Sequence, residues 1–210
     1  CGGERSGYLS QCHDITDYLN YGGDNIVCVR CDATLEEGWF YEGAGIYRHV
    51  WLTRTNQLHI ENDGIFISSI FPNADYSNPV ISVKATVRNM SHEEENAEVR
   101  VRILDADGEE VAEGKMMQME NGGIMPSASR DCSVLVPMKG AHLWSPSTPY
   151  LYKAVTEVVK EGKVIDAKET RFGIREIVFD KDRGLLVNGQ NIKIQGVNMH
   201  QDNTGVGVGI

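Results

Sequence analysis

Apolar and polar residues alternate along two stretches of the chain, and this alternation constrains the fold more than any other feature of the sequence. In residues 80–88 every odd-numbered position, from Ile81 to Val87, is apolar, and most even-numbered positions are polar. Residues 98–104 place three apolar side chains alternately with two arginines. Successive side chains of a β-strand point to opposite faces, so this period of two predicts strands with one buried face.

Further segments between residues 64 and 172 have the length and composition of strands, and turn residues separate them. Residues 105–108 and the pair Glu161-Gly162 are predicted hairpin turns. No segment of usable length has a helical period. Seven short strands within about a hundred residues favour an all-β fold with an immunoglobulin-like sandwich. The predicted strands are 65–71, 80–88, 98–104, 110–118, 130–136, 150–159 and 163–170.

The composition excludes several classes of partner. The 210-residue chain has 24% charged and 41% hydrophobic residues, as soluble globular proteins do, and its formal net charge is −10. Nucleic-acid binding needs a clustered basic surface, so we expect no nucleic-acid partner. The negative charge also disfavours an anionic membrane surface. No run approaches the ~18 apolar residues of a membrane span, so we expect no membrane partner.

The first residues, Cys1-Gly2-Gly3-Glu4, lack the basic and apolar segments of an export signal. We expect the chain to begin inside a domain, so that any export signal of the parent protein would lie upstream. The sequence therefore predicts no compartment, and periplasmic or secreted and cytoplasmic locations all remain open.

Four of the five cysteines lie within the first 31 residues. The pair Cys28 and Cys31 has the spacing of a zinc or redox knuckle. Residues 25–32 have the pattern of a strand, however, and side chains three apart on a strand point to opposite faces. We therefore predict buried free thiols rather than a metal or redox site.

A hairpin with a polar end follows the predicted sandwich. Asn188-Gly189 separates Leu185-Leu186-Val187 from Ile192-Lys193-Ile194, which is a strong signal for a two-residue hairpin turn. The second strand is predicted to continue towards the polar residues Asn198, His200 and Asp202. Polar groups just past the carboxyl end of a strand are what the mouth of a (β/α)8 barrel requires. A hairpin with a solvated tip explains the same residues, so both interpretations stay open.

Three motifs in order resemble glycoside hydrolase family 2. Arg171-Phe172-Gly173-Ile174-Arg175, the Asn-Gly hairpin and Gly196-Val197-Asn198-Met199-His200-Gln201-Asp202 are similar to its junction between sandwich and barrel. Residues 45–52 look like the closing strand of its jelly-roll, and 143–152 resemble its Trp-Ser-Pro…Pro-x-Leu-Tyr segment. The resemblance implies the end of a jelly-roll sugar-binding domain (1–62), an immunoglobulin-like sandwich (63–172) and the start of a (β/α)8 barrel (173–210).

The resemblance implies that the parent protein is a retaining β-glycosidase, which hydrolyses a terminal β-linked sugar. The Gly-Val-Asn-x-His-Gln-Asp form of the motif favours a β-galactosidase, while β-mannosidase and β-glucuronidase remain open. The family's two catalytic glutamates lie on later barrel strands, and this chain has no Asn-Glu pair of the kind that carries its acid/base. We assign no catalytic residue and expect the chain alone to be inactive. No cofactor is identified; a divalent or sodium ion and a homo-oligomeric parent remain open.

Four residues are candidate carbohydrate-binding residues. The resemblance places His200 in the sugar subsite, where an imidazole can donate a hydrogen bond to a hydroxyl. Asn198 and Asp202 lie in phase with His200, and they either contact the sugar or brace the surrounding loops. Trp39 is a candidate for stacking on a pyranose ring. Met199 stands where the family often has arginine, which leaves the contacts at that position open.

Other conspicuous side chains receive structural interpretations. Trp51 and Trp144 are predicted to pack in a core or between domains. Arg175, like Arg48, is predicted to tie domains together, and Glu176 to be a surface or salt-bridging residue. Residues 180–184 have a faint likeness to a calcium loop, but a turn is favoured, and 92–96 are predicted to be a solvated loop. The rival functional class is a non-catalytic β-sandwich module that binds carbohydrate or another domain.

Overall fold

The computed structural model describes residues 2–3, 9–32, 45–46, 48–116 and 122–198. The chain divides into two compact units: Cys1–Thr53 with Gly196–Ile210, and Arg54–Gln195. All strands of the described residues lie in the unit Arg54–Gln195, and the only described helices are two 3₁₀ turns, Thr16–Tyr18 and Pro72–Ala74. None of the helices in the described part of the chain is long and apolar enough to cross a membrane.

The seven strands predicted between residues 64 and 172 are confirmed. The first begins earlier than expected, at Leu58, and its register against the next strand shifts between Ile60 and Ile65. The Asn62-Asp63-Gly64 sequence resembles a turn, but it forms this irregularity within one long strand, with Asp63 at φ 55°. The strands are β1 Leu58–Ile70, β2 Val80–Asn89, β3 Glu98–Leu104, β4 Glu110–Met116, β5 Ser129–Pro137, β6 Tyr152–Lys160 and β7 Lys163–Phe172.

Two antiparallel sheets form the sandwich, with strand orders β1-β2-β5 and β4-β3-β6-β7. The alternation read from the sequence gives the buried faces: the odd-numbered residues Ile81 to Val87 of β2 are fully buried, as are Val99, Val101 and Ile103 of β3. Burial of each valine or isoleucine among them stabilises the fold by about 1.5–3 kcal/mol. The all-β, immunoglobulin-like prediction is therefore confirmed.

Specific contacts close the two sides of the sandwich. On one side the Ile60 amide of β1 donates to Asp166 Oδ2 of β7 at 2.8 Å, and Lys168 Nζ donates to the Glu61 carbonyl at 2.5 Å. On the other side Gly114 of β4 lies against β5, where an added Cβ would be 2.9 Å from the Leu135 carbonyl oxygen. A larger residue than glycine would separate these two strands at this point.

A small third sheet follows the sandwich, with order β10-β9-β8, where β8 is Ile177–Asp180, β9 is Gly184–Val187 and β10 is Gln190–Asn191. The predicted Asn188-Gly189 turn is confirmed, because both residues have positive φ, 52° and 74°, as a type I′ turn requires. The predicted extension of the second strand to residue 198 is wrong. Ile194 is 74% and Val197 94% exposed, because no described strand lies beside them to pair with.

The strand predicted over residues 25–32 is also wrong. Ile26, Val27 and Val29 are 88%, 76% and 61% exposed, and no described strand pairs with this segment. Isolated strands are not stable without a partner, so a local pattern alone did not suffice here. Trp51, predicted to pack in a core or between domains, is 79% exposed.

Four cysteines lie in the described part of the chain, and all four are free thiols. Cys132 is a buried free thiol on β5, and burial raises its pKa above the ordinary value. Cys12 is exposed. Cys28 and Cys31 are exposed as well, so their predicted burial, which was inferred from a strand that does not form, is wrong. Cys1 lies outside the described residues.

Candidate functional site

The sequence places the candidate sugar-binding residues just beyond the small third sheet. Asn198 is described, and it is exposed and outside any strand. His200, Asp202 and Trp39 lie outside the described residues. What the structure shows in detail is the anchorage of the segment that leads to Asn198.

Five residues from separate parts of the chain meet where the sandwich passes into the third sheet: Tyr76, Trp144, Arg175, Glu176 and Asn188. We call them the junction cluster. Tyr76 follows the 3₁₀ turn after β1, Trp144 lies between β5 and β6, and Arg175 and Glu176 link β7 to β8. Asn188 is the first residue of the β9–β10 turn. Trp144 of the Trp-Ser-Pro segment and Arg175 of the Arg-Phe-Gly-Ile-Arg sequence therefore lie with the Asn-Gly hairpin in one cluster.

Trp144 has the packing role predicted for it. Its backbone amide donates to the Ile174 carbonyl at 2.8 Å, and its side chain covers Gly173 so closely that an added Cβ would lie 2.7 Å from Trp144 Cβ. The Arg175 guanidinium carbon lies 4.5 Å from the centroid of the indole ring, within the range of a cation–π interaction. Arg175 thus ties the linking residues to the sandwich, in line with its predicted structural role.

Asn188 joins three segments with one side chain. Its Oδ1 accepts a hydrogen bond from the Glu176 amide at 2.9 Å, and its Nδ2 donates to the Trp144 carbonyl at 3.0 Å. Its own amide donates to the Glu176 carbonyl at 3.0 Å. Sequence reasoning identified Asn188 as a turn residue and missed this second role. Since a turn would accept glycine or aspartate equally well, nothing local in the sequence signals it.

Tyr76 and Glu176 form the second polar contact of the junction cluster. The phenol donates to Glu176 Oε2 at 2.5 Å, and this hydrogen bond to a carboxylate raises the pKa of Tyr76 above 10.0. The ring of Tyr76 is held in turn by Phe71, whose centroid lies 5.0 Å away and which packs against the sandwich core. Glu176 is half-buried and accepts from a phenol, so its predicted surface or salt-bridging role is replaced by this contact.

An open groove of about 600 Å³ lies beside the junction cluster, with Tyr76, Leu143, Pro146, Asn188 and Gln190 among its lining residues. Most of its polar groups already bond to one another: Ser145 Oγ lies 2.7 Å from Thr148 Oγ1 and 3.0 Å from Ser147 Oγ. The side-chain amide of Asn188 makes the two hydrogen bonds described above. We assign no ligand to this groove.

The acidic segment after β8 forms the predicted turn. Asp180 Oδ1 accepts from the backbone amides of Asp182 and Arg183 at 2.9 and 2.8 Å, and these bonds lower the pKa of Asp180. Its other oxygen faces the Arg183 guanidinium at 3.3 Å. Within the described part of the chain, no group of three or more His, Cys, Asp or Glu residues is placed to hold a metal ion.

Glu157 is the one buried carboxylate among the described residues. It lies on β6 and binds Arg100 Nε at 2.7 Å and Arg102 Nη2 at 3.0 Å, both on the neighbouring β3. Burial alone would raise its pKa, but the hydrogen bonds from the two arginines outweigh burial and lower it. A carboxylate held ionised by two guanidinium groups suits a structural role rather than proton transfer.

Comparison with known proteins identifies the family. Residues 59–175, which are more than half of the chain, match the family model described as glycosyl hydrolases family 2. The match runs from β1 to Arg175 of the junction cluster. The chain belongs to glycosyl hydrolase family 2.

Curated and solved members of family 2 resemble nearly the whole chain. Beta-galactosidase BoGH2A of Bacteroides ovatus is 34% identical over 197 residues, which are 93% of this chain and 22% of that protein. A beta-glucuronidase of Formosa agariphila is 28% identical over 229 residues, covering 99% of this chain and 23% of that protein. A family 2 crystal structure from Bacteroides cellulosilyticus superimposes with a TM-score of 0.77 at 30% identity, over 87% of this chain and 24% of that one. The chain thus spans less than a quarter of the length of these relatives.

Proposed function

We propose that this chain is part of a retaining β-glycosidase that hydrolyses terminal β-linked sugars, with β-galactosides as the substrates. The observation that carries the proposal is membership of glycosyl hydrolase family 2 together with the Gly-Val-Asn-Met-His-Gln-Asp sequence at 196–202, which follows the Asn188-Gly189 turn. The choice of sugar rests on that sequence alone, because a beta-galactosidase and a putative beta-glucuronidase are both 34% identical to this chain. In this proposal the chain comprises the end of a jelly-roll domain, the sandwich, whose first strand begins at Leu58 rather than after residue 62, and from residue 173 the start of the catalytic barrel.

The four candidate residues have distinct proposed roles. The His200 imidazole donates a hydrogen bond to a sugar hydroxyl, while the Asp202 carboxylate accepts one. Asn198 contributes from the same segment, and Trp39 offers an aromatic face to the ring. Hydrogen bonds to hydroxyls select one sugar over another, because a sugar lacking the matching hydroxyl leaves these polar groups unpaired.

Retaining hydrolysis requires two carboxyl groups about 5–5.5 Å apart, one acting as acid/base and the other as nucleophile. We assign neither to the 210 residues of this chain, so in the proposal both come from later parts of the parent protein. We therefore expect the chain alone to hydrolyse no glycoside.

The test is an assay of the complete gene product that contains this chain. We expect an aryl β-galactoside to be hydrolysed faster than the matching β-glucuronide or β-mannoside, with the β-anomer formed first when the product is followed by NMR. The 210-residue chain alone serves as the inactive control. Preference for the glucuronide or the mannoside would contradict the choice of sugar. Absence of hydrolysis of any β-glycoside, with oligosaccharide binding by residues 54–195, would favour the non-catalytic binding module instead.

A further inference from the structure

We propose that Asn188, Glu176 and Tyr76 are positioning residues for the sugar subsite, an inference that rests on the proposed glycosidase function and deepens it. They do not touch substrate. They hold the β9–β10 hairpin, and the chain continues from this hairpin to Asn198, His200 and Asp202. In the proposal they act on the sugar only through those three residues.

The Asn188 side chain does more than its turn requires. Glycine and aspartate also favour the left-handed conformation that this turn needs. Neither of them can both accept from the Glu176 backbone and donate to the Trp144 carbonyl, as the Asn188 amide does at 2.9 and 3.0 Å. Asparagine at this position therefore fixes the β9–β10 turn against the sandwich loop and the linking residues at once.

This anchorage lies close in sequence to the candidate sugar-binding residues. After the turn, the Ile192 amide donates to the Leu185 carbonyl at 2.9 Å, and between described residues this is the last backbone hydrogen bond before Asn198. In the proposal, the hairpin therefore sets where the segment 190–198, which leads to the candidate sugar-binding residues, begins.

Tyr76 connects this anchorage to the sandwich core. Its hydroxyl holds the Glu176 carboxylate at 2.5 Å, and its ring lies against Phe71, which packs on the core. Glu176 in turn pairs with Asn188 through both of its backbone polar groups. The hairpin is thus held against the sandwich by a series of contacts that runs from Tyr76 to Glu176 and from Glu176 to Asn188.

The decisive experiment compares Asn188→Gly with Glu161→Gly in the complete gene product. Both residues occupy the first position of an Xaa-Gly turn with positive φ, 52° and 51°, so both substitutions keep the turn and add the same backbone freedom. Only Asn188→Gly removes the amide. A misplacement of about 1 Å costs roughly 100-fold in rate, so we expect kcat/KM for the aryl β-galactoside to fall about 10- to 100-fold in Asn188→Gly, mainly through kcat. We expect Glu161→Gly to stay within about twofold of the wild type.

A second pair of variants guards against loss of folding. Tyr76→Phe removes only the hydroxyl bonded to Glu176, and Tyr150→Phe removes a hydroxyl that accepts from the Ala106 amide at 3.2 Å within the sandwich. We expect kcat to fall in Tyr76→Phe and to stay unchanged in Tyr150→Phe, with thermal unfolding midpoints that match. Wild-type kcat and KM in both Asn188→Gly and Tyr76→Phe, or equal losses in the two members of either pair, would overturn the proposal.

Backbone amide exchange separates this proposal from the proposed function. If the wild-type protein hydrolyses no β-glycoside, the proposed function fails, and exchange at residues 190–198 still tests the anchorage. Faster exchange there in Asn188→Gly than in Glu161→Gly would support positioning of this segment. The same exchange in both variants would overturn it.

Discussion

At the scale of single residues, close packing rather than conformational freedom explains Gly173. An added Cβ would lie 2.7 Å from Trp144 Cβ and 2.8 Å from Trp144 Cγ, and both distances are shorter than van der Waals contact. The indole cannot retreat freely, because Arg175 lies over it and its backbone is bonded to Ile174. The Arg-Phe-Gly-Ile-Arg sequence therefore has glycine at the position against which Trp144 packs.

Gly173→Ala should accordingly destabilise the chain. We expect the free energy of unfolding in urea to fall by about 1–3 kcal/mol, which is typical of overpacking. Gly196→Ala is the matched control, because nothing lies within 4 Å of its added Cβ. There the loss of unfolded-state freedom should leave stability equal or slightly higher. Equal effects of the two substitutions would contradict the packing explanation.

At the scale of elements, the pairing of β3 with β6 contains a charged network as well as an apolar face. Glu157 is buried between Arg100 and Arg102, whose side chains remain 36% and 33% exposed. Because the pKa of Glu157 is lower in the folded chain than its ordinary 4.5, the ionised carboxylate stabilises the fold. This contribution is present above about pH 4.5 and is lost as the pH falls through the folded-state value.

Glu157→Gln should remove that contribution and leave Arg100 without its charged partner, while Arg102 keeps Glu110 at 3.4 Å. We expect a loss of about 1–3 kcal/mol near neutral pH, less than for a fully buried pair because solvent screens both guanidinium groups. The difference from the wild type should shrink as the pH falls below about 4.5. Glu169→Gln, which affects a 63% exposed carboxylate paired with Lys153 at 3.0 Å, should change stability by less than about 1 kcal/mol. A pH-independent difference for Glu157→Gln, measured by urea unfolding, would contradict this account.

Individual elements also differ in how well the sequence predicts them. Strands such as β2 and β3 were predictable because a local alternation coincides with a buried face and partner strands are present in the chain. Residues 25–32 show the same kind of local pattern but form no strand, since pairing is a long-range property that a pattern does not contain. The contact of Tyr76 with Glu176, 100 positions apart, could not be predicted for the same reason. The turn at Asn188 was predictable from its neighbours, whereas its amide contacts with Trp144 and Glu176 were not.

At the scale of the whole molecule, the described residues of the two units differ in how completely they bury apolar surface. The unit Arg54–Gln195 contains both sheets of the sandwich and its core. The unit that includes Cys1–Thr53 exposes large apolar side chains, among them Ile26 at 88%, Trp51 at 79% and Leu52 at 82%. Exposed apolar groups on segments without paired strands favour association between chains.

We therefore expect the 210-residue chain to self-associate while a chain of residues 54–195 stays monomeric and cooperatively folded. Sedimentation velocity at increasing concentration measures the first property, and urea unfolding followed by fluorescence measures the second. Replacing Ile26 and Leu52 by lysine should reduce association of the longer chain, because charge opposes burial of these positions between copies. Replacing the 67% exposed Phe66 of the sandwich by lysine should leave association unchanged. If residues 54–195 associated as strongly as the full chain, the exposed surface of the sandwich would be responsible for association. The attribution of association to the exposed apolar residues of the first unit would then be wrong.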